Sequence, residues 1–276
     1  MTNANNAYED IIMDKIKEIT IGVLRSLSQY LPGEILQENG IDILKLDVSI
    51  GKGTVRCVCF DRGLVAIEFD VRLKKDRTIC FDASQNDMIH FFYCLEGNCF
   101  HQFEGHNRIT KLEQMQTAVV SSGKDMLSKL VVRKGHPLIF NAIYINKDIY
   151  LKKFHQNQGQ TDVRLKELLR SFESKRGYFY TGSYNITIGE LVKKLEEAKY
   201  ASSLSALLHF EGICHLILAK QIEQFNAQED EMELPTTLLK REIKSIEKVC
   251  DLINEYPEQQ HTIKSLCYES TLSISR

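Results

Sequence analysis

The spacing of apolar residues changes twice along the chain, and each change marks an expected boundary. From Asp10 to Leu31 the residues Ile11, Ile12, Ile16, Ile19, Val23, Leu24 and Leu27 recur at helical intervals until Pro32 and Gly33 break the pattern. A leading helix is therefore expected. Between Ile41 and about Lys153 the pattern shortens to runs rich in Val, Ile, Phe and Tyr, the residue types that suit a pleated, half-buried surface. Turn chemistry separates these runs at Gly51 to Gly53, Asp61 to Gly63, Lys74 to Asp76, Glu96 to Asn98 and Glu104 to Asn107. Strands recurring at about 8 to 12 residues, with little helical signal between them, predict an antiparallel barrel or sandwich rather than alternating βαβ units.

After Leu151 helical spacing returns and is expected to persist to the end of the chain. Val163, Leu165, Leu168, Leu169 and Phe172 form one amphipathic stripe; Ile188, Leu191, Val192 and Leu195 form another, with Thr187 as its expected cap. From Ser203 to Phe225 the apolar residues wrap around more of the helix than one buried face requires. Leu204, Leu208, Ile213 and Leu216 are accordingly the candidates for a dimer interface. Asn226 to Pro235, with Glu229, Asp230, Glu231 and Glu233, has the composition of a linker. The expected units are residues 1–155 (leading helix and β domain), 156–226 (an all-α dimerisation and coupling region), 227–237 (linker) and 238–276 (a helical terminal module).

Composition narrows the class. At 276 residues, 43% hydrophobic and 26% charged, the chain has the balance of a globular protein with roughly two domains and a full-sized core. Its apolar runs fall well short of the roughly 20 residues that cross a bilayer, and Met1 to Tyr8 is polar and followed by Glu9 and Asp10, unlike a secretory signal. A cytoplasmic protein without membrane contact is expected. Eight scattered cysteines in such a chain are expected to be free thiols. The formal net charge of -2 excludes a globally basic nucleic-acid coat but leaves room for a local reading head.

Near the end, Leu239, Ile243, Ile246, Val249, Cys250, Leu252 and Ile253 make one helix face, with Lys240, Arg241, Lys244 and Lys248 on the other, and Pro257 closes it. A short helix capped by Thr262 follows, then Glu269-Ser270-Thr271-Leu272 and a fresh cap at Ser273. Helix, turn and helix start are the parts of a groove-reading unit. On Ile243, Ile246, Val249, Ile253, Thr262, Ile263, Leu266, Leu272 and Ser273 the segment resembles the opening of the AraC-family DNA-binding domain. Cys267 stands where that family usually has Ala, and Thr271 where it often has Gly.

The resemblance implies a fold of class α+β: a cupin-like antiparallel β-barrel sensor, a helical dimerisation segment, a linker and two helix-turn-helix units. It also implies DNA as partner, an unidentified small-molecule effector and a homodimer. Thr262, Ser273, Ser275 and Arg276 are the DNA-contact candidates. The first recognition helix is expected to be cut short at Arg276, so that DNA engagement needs further residues. From Leu239 to Arg276 six basic residues balance six acidic ones, and negligible specific DNA binding by this chain is expected.

The segment Ile89 to Gly97 resembles the central hairpin of AraC-type sensors, although Gln114-Met115 replaces a Gly-Asp pair common further along. Alternation puts Phe92 and Cys94 on one face and Phe91, Tyr93 and Leu95 on the other. Phe92, Cys94 and His101 are the ligand-binding candidates, if the barrel interior is open; if side chains fill it, they are core. Four histidines, 90, 101, 106 and 136, lie in or beside the β domain, yet no His-x-His occurs and Cys99 and Phe103 share the face of His101. Neither a metal nor another cofactor is expected, and no catalysis. Two rival readings remain: a cupin-type metalloenzyme, and a non-catalytic protein that heterodimerises with a full-length regulator.

Overall fold

The computed structural model describes residues 20–38, 41–60, 64–81, 88–121, 126–146, 177–197, 204–229, 237–238 and 240–270. The chain enters on a helix through residues 20–28 (α1), whose Leu24 and Leu27, with Leu31 just beyond it, are buried. The first half of the expected leading helix, and the stripe from Val163 to Phe172, lie outside the described residues.

Eleven strands follow: β1 Gly33–Glu38, β2 Ile41–Leu46, β3 Gly51–Phe60, β4 Leu64–Leu73, β5 Arg77–Phe81, β6 Met88–Glu96, β7 Cys99–Phe103, β8 Ile109–Leu112, β9 Gln116–Ser121, β10 Ser128–Val132 and β11 Pro137–Asn146. Then come β12 Tyr178–Asn185, α2 Ile186–Glu197, α3 Leu204–Glu229, β13 Thr237–Leu238, α4 Lys240–Glu255 and α5 Ile263–Ser270. All pairings are antiparallel. They form a nine-stranded sheet in the order β1-β2-β3-β4-β11-β6-β9-β12-β13 and a four-stranded sheet in the order β5-β10-β7-β8. The architecture is thus α+β, with two facing sheets; among the described residues no ladder joins them into the closed barrel that was expected.

Period-two alternation decides what each strand buries. On β6, β11 and β4 one face (Phe92, Cys94; Phe140, Ala142; Ile67, Phe69) joins Ile79, Phe81, Cys99, Phe103 and Leu130 of the small sheet in an inter-sheet core. The opposite face (Phe91, Tyr93, Leu95; Ile143, Ile145; Ala66) packs beneath Ile188, Val192 and Leu195 of α2 and Phe210, Cys214, Ile217 and Phe225 of α3. Central strands buried on both faces read as nearly continuous apolar runs. The result is three layers: helices, large sheet, small sheet.

Helix α3 lies across the strands. Phe210 meets Phe60 of β3 at 6.1 Å and Phe225 meets Tyr180 of β12 at 4.8 Å, ring centroid to centroid. Fifteen residues rise about 22 Å, which matches roughly five strand spacings of about 4.8 Å. Beneath α3, Arg56 and Glu68 form a buried ion pair, with Arg56 also over the Phe210 ring at 5.8 Å.

Three sequence expectations are corrected here. Gly51 to Gly53 is not a turn; both glycines sit in β3, where a Cβ would meet the Arg72 carbonyl oxygen at 2.5 Å or that of Asp70 at 2.0 Å. The actual turn precedes them, with Asp47 accepting a bond from the Ser49 N–H. The region after Leu151 is not helical throughout, because β12 pairs with β9 and extends the large sheet. Finally, the cap of α2 is Asn185, whose Oδ1 accepts from the Ile188 N–H at 3.1 Å; Thr187 is already inside the helix. Among the described residues no helix is long and apolar enough to cross a membrane.

Candidate functional site

Between the sheets, two imidazoles share an aromatic enclosure. His90 on β6 lies two residues before Phe92 and on the same face; its ring is 5.2 Å from Tyr144, 5.8 Å from Phe92 and 5.9 Å from Phe81. His101, on β7 of the facing sheet, stacks on Phe179 at 4.4 Å, meets Phe103 edge-on at 4.6 Å, and pairs through Nε2 with the Ser128 hydroxyl at 2.7 Å. Both rings are buried, at 4% and 2% exposure. Burial holds His90 down to about pKa 4, and burial together with the neighbouring His90 holds His101 to about 3. Both are neutral near pH 7. Among the described residues the Nδ1 of His90 has no hydrogen-bond partner, a cost that a ligand donor or acceptor would offset.

Of the three ligand-binding candidates, Phe92, Cys94 and His101 all face this inter-sheet space, and all are at or below 2% exposure. His90, Tyr144 and Ser128 are members the sequence reading passed over, though the spacing of His90, Phe92 and Cys94 carried the signal. His106 and His136 are exposed. Cys94 Sγ donates to the Glu96 and Gly97 carbonyls, both at 3.5 Å, and burial pushes the Cys99 and Cys57 thiols up. No cysteine is in a disulfide. Among the described residues no group of three or more His, Cys, Asp or Glu side chains is placed to hold a metal ion.

The outer face of β6 connects this space to the helices. The Tyr93 hydroxyl donates to the Asn185 carbonyl at 2.7 Å. Asn185 in turn donates its N–H to the Met115 carbonyl at 2.9 Å, caps α2, and donates Nδ2 to Gln224 Oε1 of α3 at 3.2 Å. Opposite it in the ladder is Thr237 of β13, three residues before α4 begins. Met115 has φ 61, an uncommon conformation for a residue with a side chain.

The dimer candidates separate by environment. Leu208 and Leu216 are 59% and 53% exposed on the face of α3 turned away from the sheet, whereas Ile213 is partly buried against the core beneath the helices. The side chain of Leu204 lies outside the described set. At the terminal module α4 and α5 pack together: Ile243 and Ser270 are buried, and Lys248 Nζ donates to the Glu269 carbonyl. Thr262 caps α5 reciprocally, its Oγ1 accepting from the Ser265 N–H at 3.1 Å and its own N–H donating to Ser265 Oγ at 3.1 Å. Its hydroxyl is engaged in that cap. Ser273, Ser275 and Arg276 lie outside the described residues.

No family model matches the chain, and no curated protein matches it. Among solved structures the chain is similar to the AraC-like transcriptional activator CuxR, at 11% identity over 91% of this chain and 80% of that one, with a TM-score of 0.38. It is also similar to an apo variant of ToxT from Vibrio cholerae (12% identity, 76% of this chain, 71% of that one, TM-score 0.36). A third likeness is to the cupin domain of Cnp3 from Schizosaccharomyces pombe (8% identity, 48% and 78%, TM-score 0.28). At TM-scores this low the likenesses carry no argument of their own.

Proposed function

We propose that this chain is a ligand-responsive transcription regulator of the AraC type, acting by binding rather than by catalysis. The observation that carries the reading is the α4–α5 pair, with its reciprocal Thr262 cap, fastened to the edge of the large sheet through β13. A helix pair of this kind supplies the first half of a groove-docking unit. The segment after α5, with Ser273, Ser275 and Arg276, is the proposed base-reading part.

The effector is a small, largely apolar molecule that enters between the sheets, stacks on rings such as Phe92 and Phe179, and offers one polar group to His90 Nδ1. Binding there displaces β6, and the Tyr93–Asn185 bond passes the movement to α2, α3 and β13. Leu208 and Leu216 form the centre of a two-fold contact between copies. The regulator works in the cytoplasm.

The test is a fusion of the chain to a heterologous DNA-binding domain that represses a reporter only as a dimer. Repression is expected, and it should be lost in Leu208→Glu/Leu216→Glu and altered in Tyr93→Phe. A silent, monomeric fusion would sink the reading, as would stoichiometric iron, manganese or zinc in the purified chain, which would favour the metalloenzyme.

A further inference from the structure

Three turns meet at one end of the sandwich and gather positive charge that neither the inter-sheet space nor the helices use. The turn at residues 47–50, the 74–76 connection and the 133–136 connection are bonded to one another through their backbones. Lys74 N–H donates to the Ile50 carbonyl at 2.8 Å and Gly135 N–H to the Leu73 carbonyl at 2.8 Å. Side chains tighten the junction: Arg72 Nε donates to the Gly135 carbonyl at 2.8 Å, and Lys74 Nζ to the Val48 carbonyl at 2.6 Å. Arg133 and the Lys134 N–H both reach Asp76, at 2.6 and 2.9 Å.

On this platform stand Lys52, Arg72, Lys74, Lys75, Arg77, Arg133 and Lys134, all exposed except the half-buried Arg77. Within the turns only Asp47 and Asp76 oppose them, with Asp70 and Glu96 at the rim. Asp47 accepts from Ser49 and Asp76 from the 133–134 turn, and these bonds hold both carboxyls below their ordinary range. In a chain whose formal net charge is -2, this is a strong local excess.

The ladder supplies an independent observation. Lys52 and Arg72 stand directly opposite one another on β3 and β4. Like charges so placed destabilise a strand pair; alternation puts both on the outer face of the sheet with Arg56 and Glu68, four residues away along each strand, and both Lys52 and Arg72 are exposed. Val48 of the same 47–50 turn is 78% exposed. A rigid platform that concentrates cations at a cost to its own strands is arranged for an anion brought from outside.

We propose that this end of the sandwich is a second, sequence-independent contact for the phosphate backbone of duplex DNA, separate from the terminal helices. The spread of cations over three turns fits a line of phosphates better than a single bound ion. The proposal rests on the regulator reading only for its choice of duplex DNA as the source of phosphates. Contacts of this kind are weak, with Kd of about 10⁻⁴ to 10⁻⁶ M at physiological salt, and steeply salt-dependent.

The experiment uses the full chain and a fluorescent 30-base-pair duplex of mixed sequence, with anisotropy read at a series of salt concentrations. Lys52→Gln/Lys75→Gln/Lys134→Gln should weaken binding at least tenfold at low salt and reduce the log–log salt slope by about 2.7, the effect of three lost phosphate contacts. The matching triple Lys→Arg variant should bind like the parent, and so should a control at Lys193 and Lys194. Three results would overturn the proposal: no binding by the parent at 20 mM salt, an unchanged slope in the Gln variant, or loss of binding only when Arg241 and Lys244 of α4 are replaced. Binding of poly-glutamate as tight as that of DNA would also overturn it, in favour of an acidic protein partner. The dimer-dependent reporter assay does not involve these residues, so either idea can fail alone.

Discussion

At Gly97 the chain leaves β6 in one sheet and turns into β7 in the other, and the residue has φ 81. A Cβ there would lie 2.2 Å from the Pro137 carbonyl oxygen, closer than any real contact. Gly97→Ala therefore carries the backbone penalty of about 1–3 kcal/mol for a side chain in this region and a collision with rigid backbone besides. Urea unfolding should show a midpoint well below that of Gly105→Ala, whose φ is 73 but whose Cβ would meet nothing within 4 Å. Equal midpoints would remove Pro137 from the explanation.

The buried imidazoles set a pH dependence of definite sign. Unfolded histidine titrates near 6.5, whereas His90 and His101 are held to about 4 and about 3 when folded. Between those values the unfolded chain binds more protons than the folded one, so stability falls as pH drops below 6.5 and rises as pH returns to 7. The two groups together place several kcal/mol in this window, as an order of magnitude. Urea midpoints measured from pH 7 to pH 4.5 should decline, and His90→Phe should flatten the profile. A parent profile flat over that range would show that the rings are solvated.

At the scale of elements, Asn185 is the residue on which strand, helix and terminal module converge. Asn185→Ala removes the cap of α2, a loss of about 0.5–2 kcal/mol, and also leaves the buried Gln224 Oε1 without its Asn185 donor, adding about 1–3 kcal/mol. Thr187→Ala should be nearly neutral. Thermal unfolding of the two variants distinguishes the caps; a larger effect at Thr187 would reverse the assignment.

That misplaced cap shows what the sequence conveys and what it withholds. The two faces of β6 were readable, because Ile89 to Leu95 is an unbroken strand run in which period-two geometry alone separates Phe92 and Cys94 from Phe91, Tyr93 and Leu95. Asn185 was not, because the seven residues of β12 before it carry aromatics at 178, 179, 180 and 184 without clean alternation, and their partner β9 lies more than fifty residues away. Gly51 and Gly53 imitate a turn for a related reason. Only the approach of the β4 backbone, invisible along the chain, makes glycine necessary inside β3. His90 escaped selection because a histidine amid apolar neighbours looks like any core residue until its ring partners are known.

For the whole molecule, α3 poses the decisive question of association. Its sheet-facing side is fully used by Phe210, Cys214, Ile217 and Phe225, yet Leu208 and Leu216 remain exposed two turns apart, with Gly212 between them and open space above it. A two-fold contact through this strip would bury both leucines of each copy, at about 1.5–3 kcal/mol per side chain. Association itself costs about 4–15 kcal/mol, so four leucines sustain only a modest complex unless neighbouring surface joins them. A dimer no tighter than micromolar is the consistent expectation. Leu208→Glu/Leu216→Glu places like charges across the axis and should raise the dissociation constant by two orders of magnitude or more. Because these side chains are exposed in the single copy, the unfolding midpoint at nanomolar concentration should not move. Sedimentation velocity over a concentration series decides the matter: a parent chain that stays monomeric at 100 μM, or a dimer indifferent to the substitutions, would take the interface away from α3.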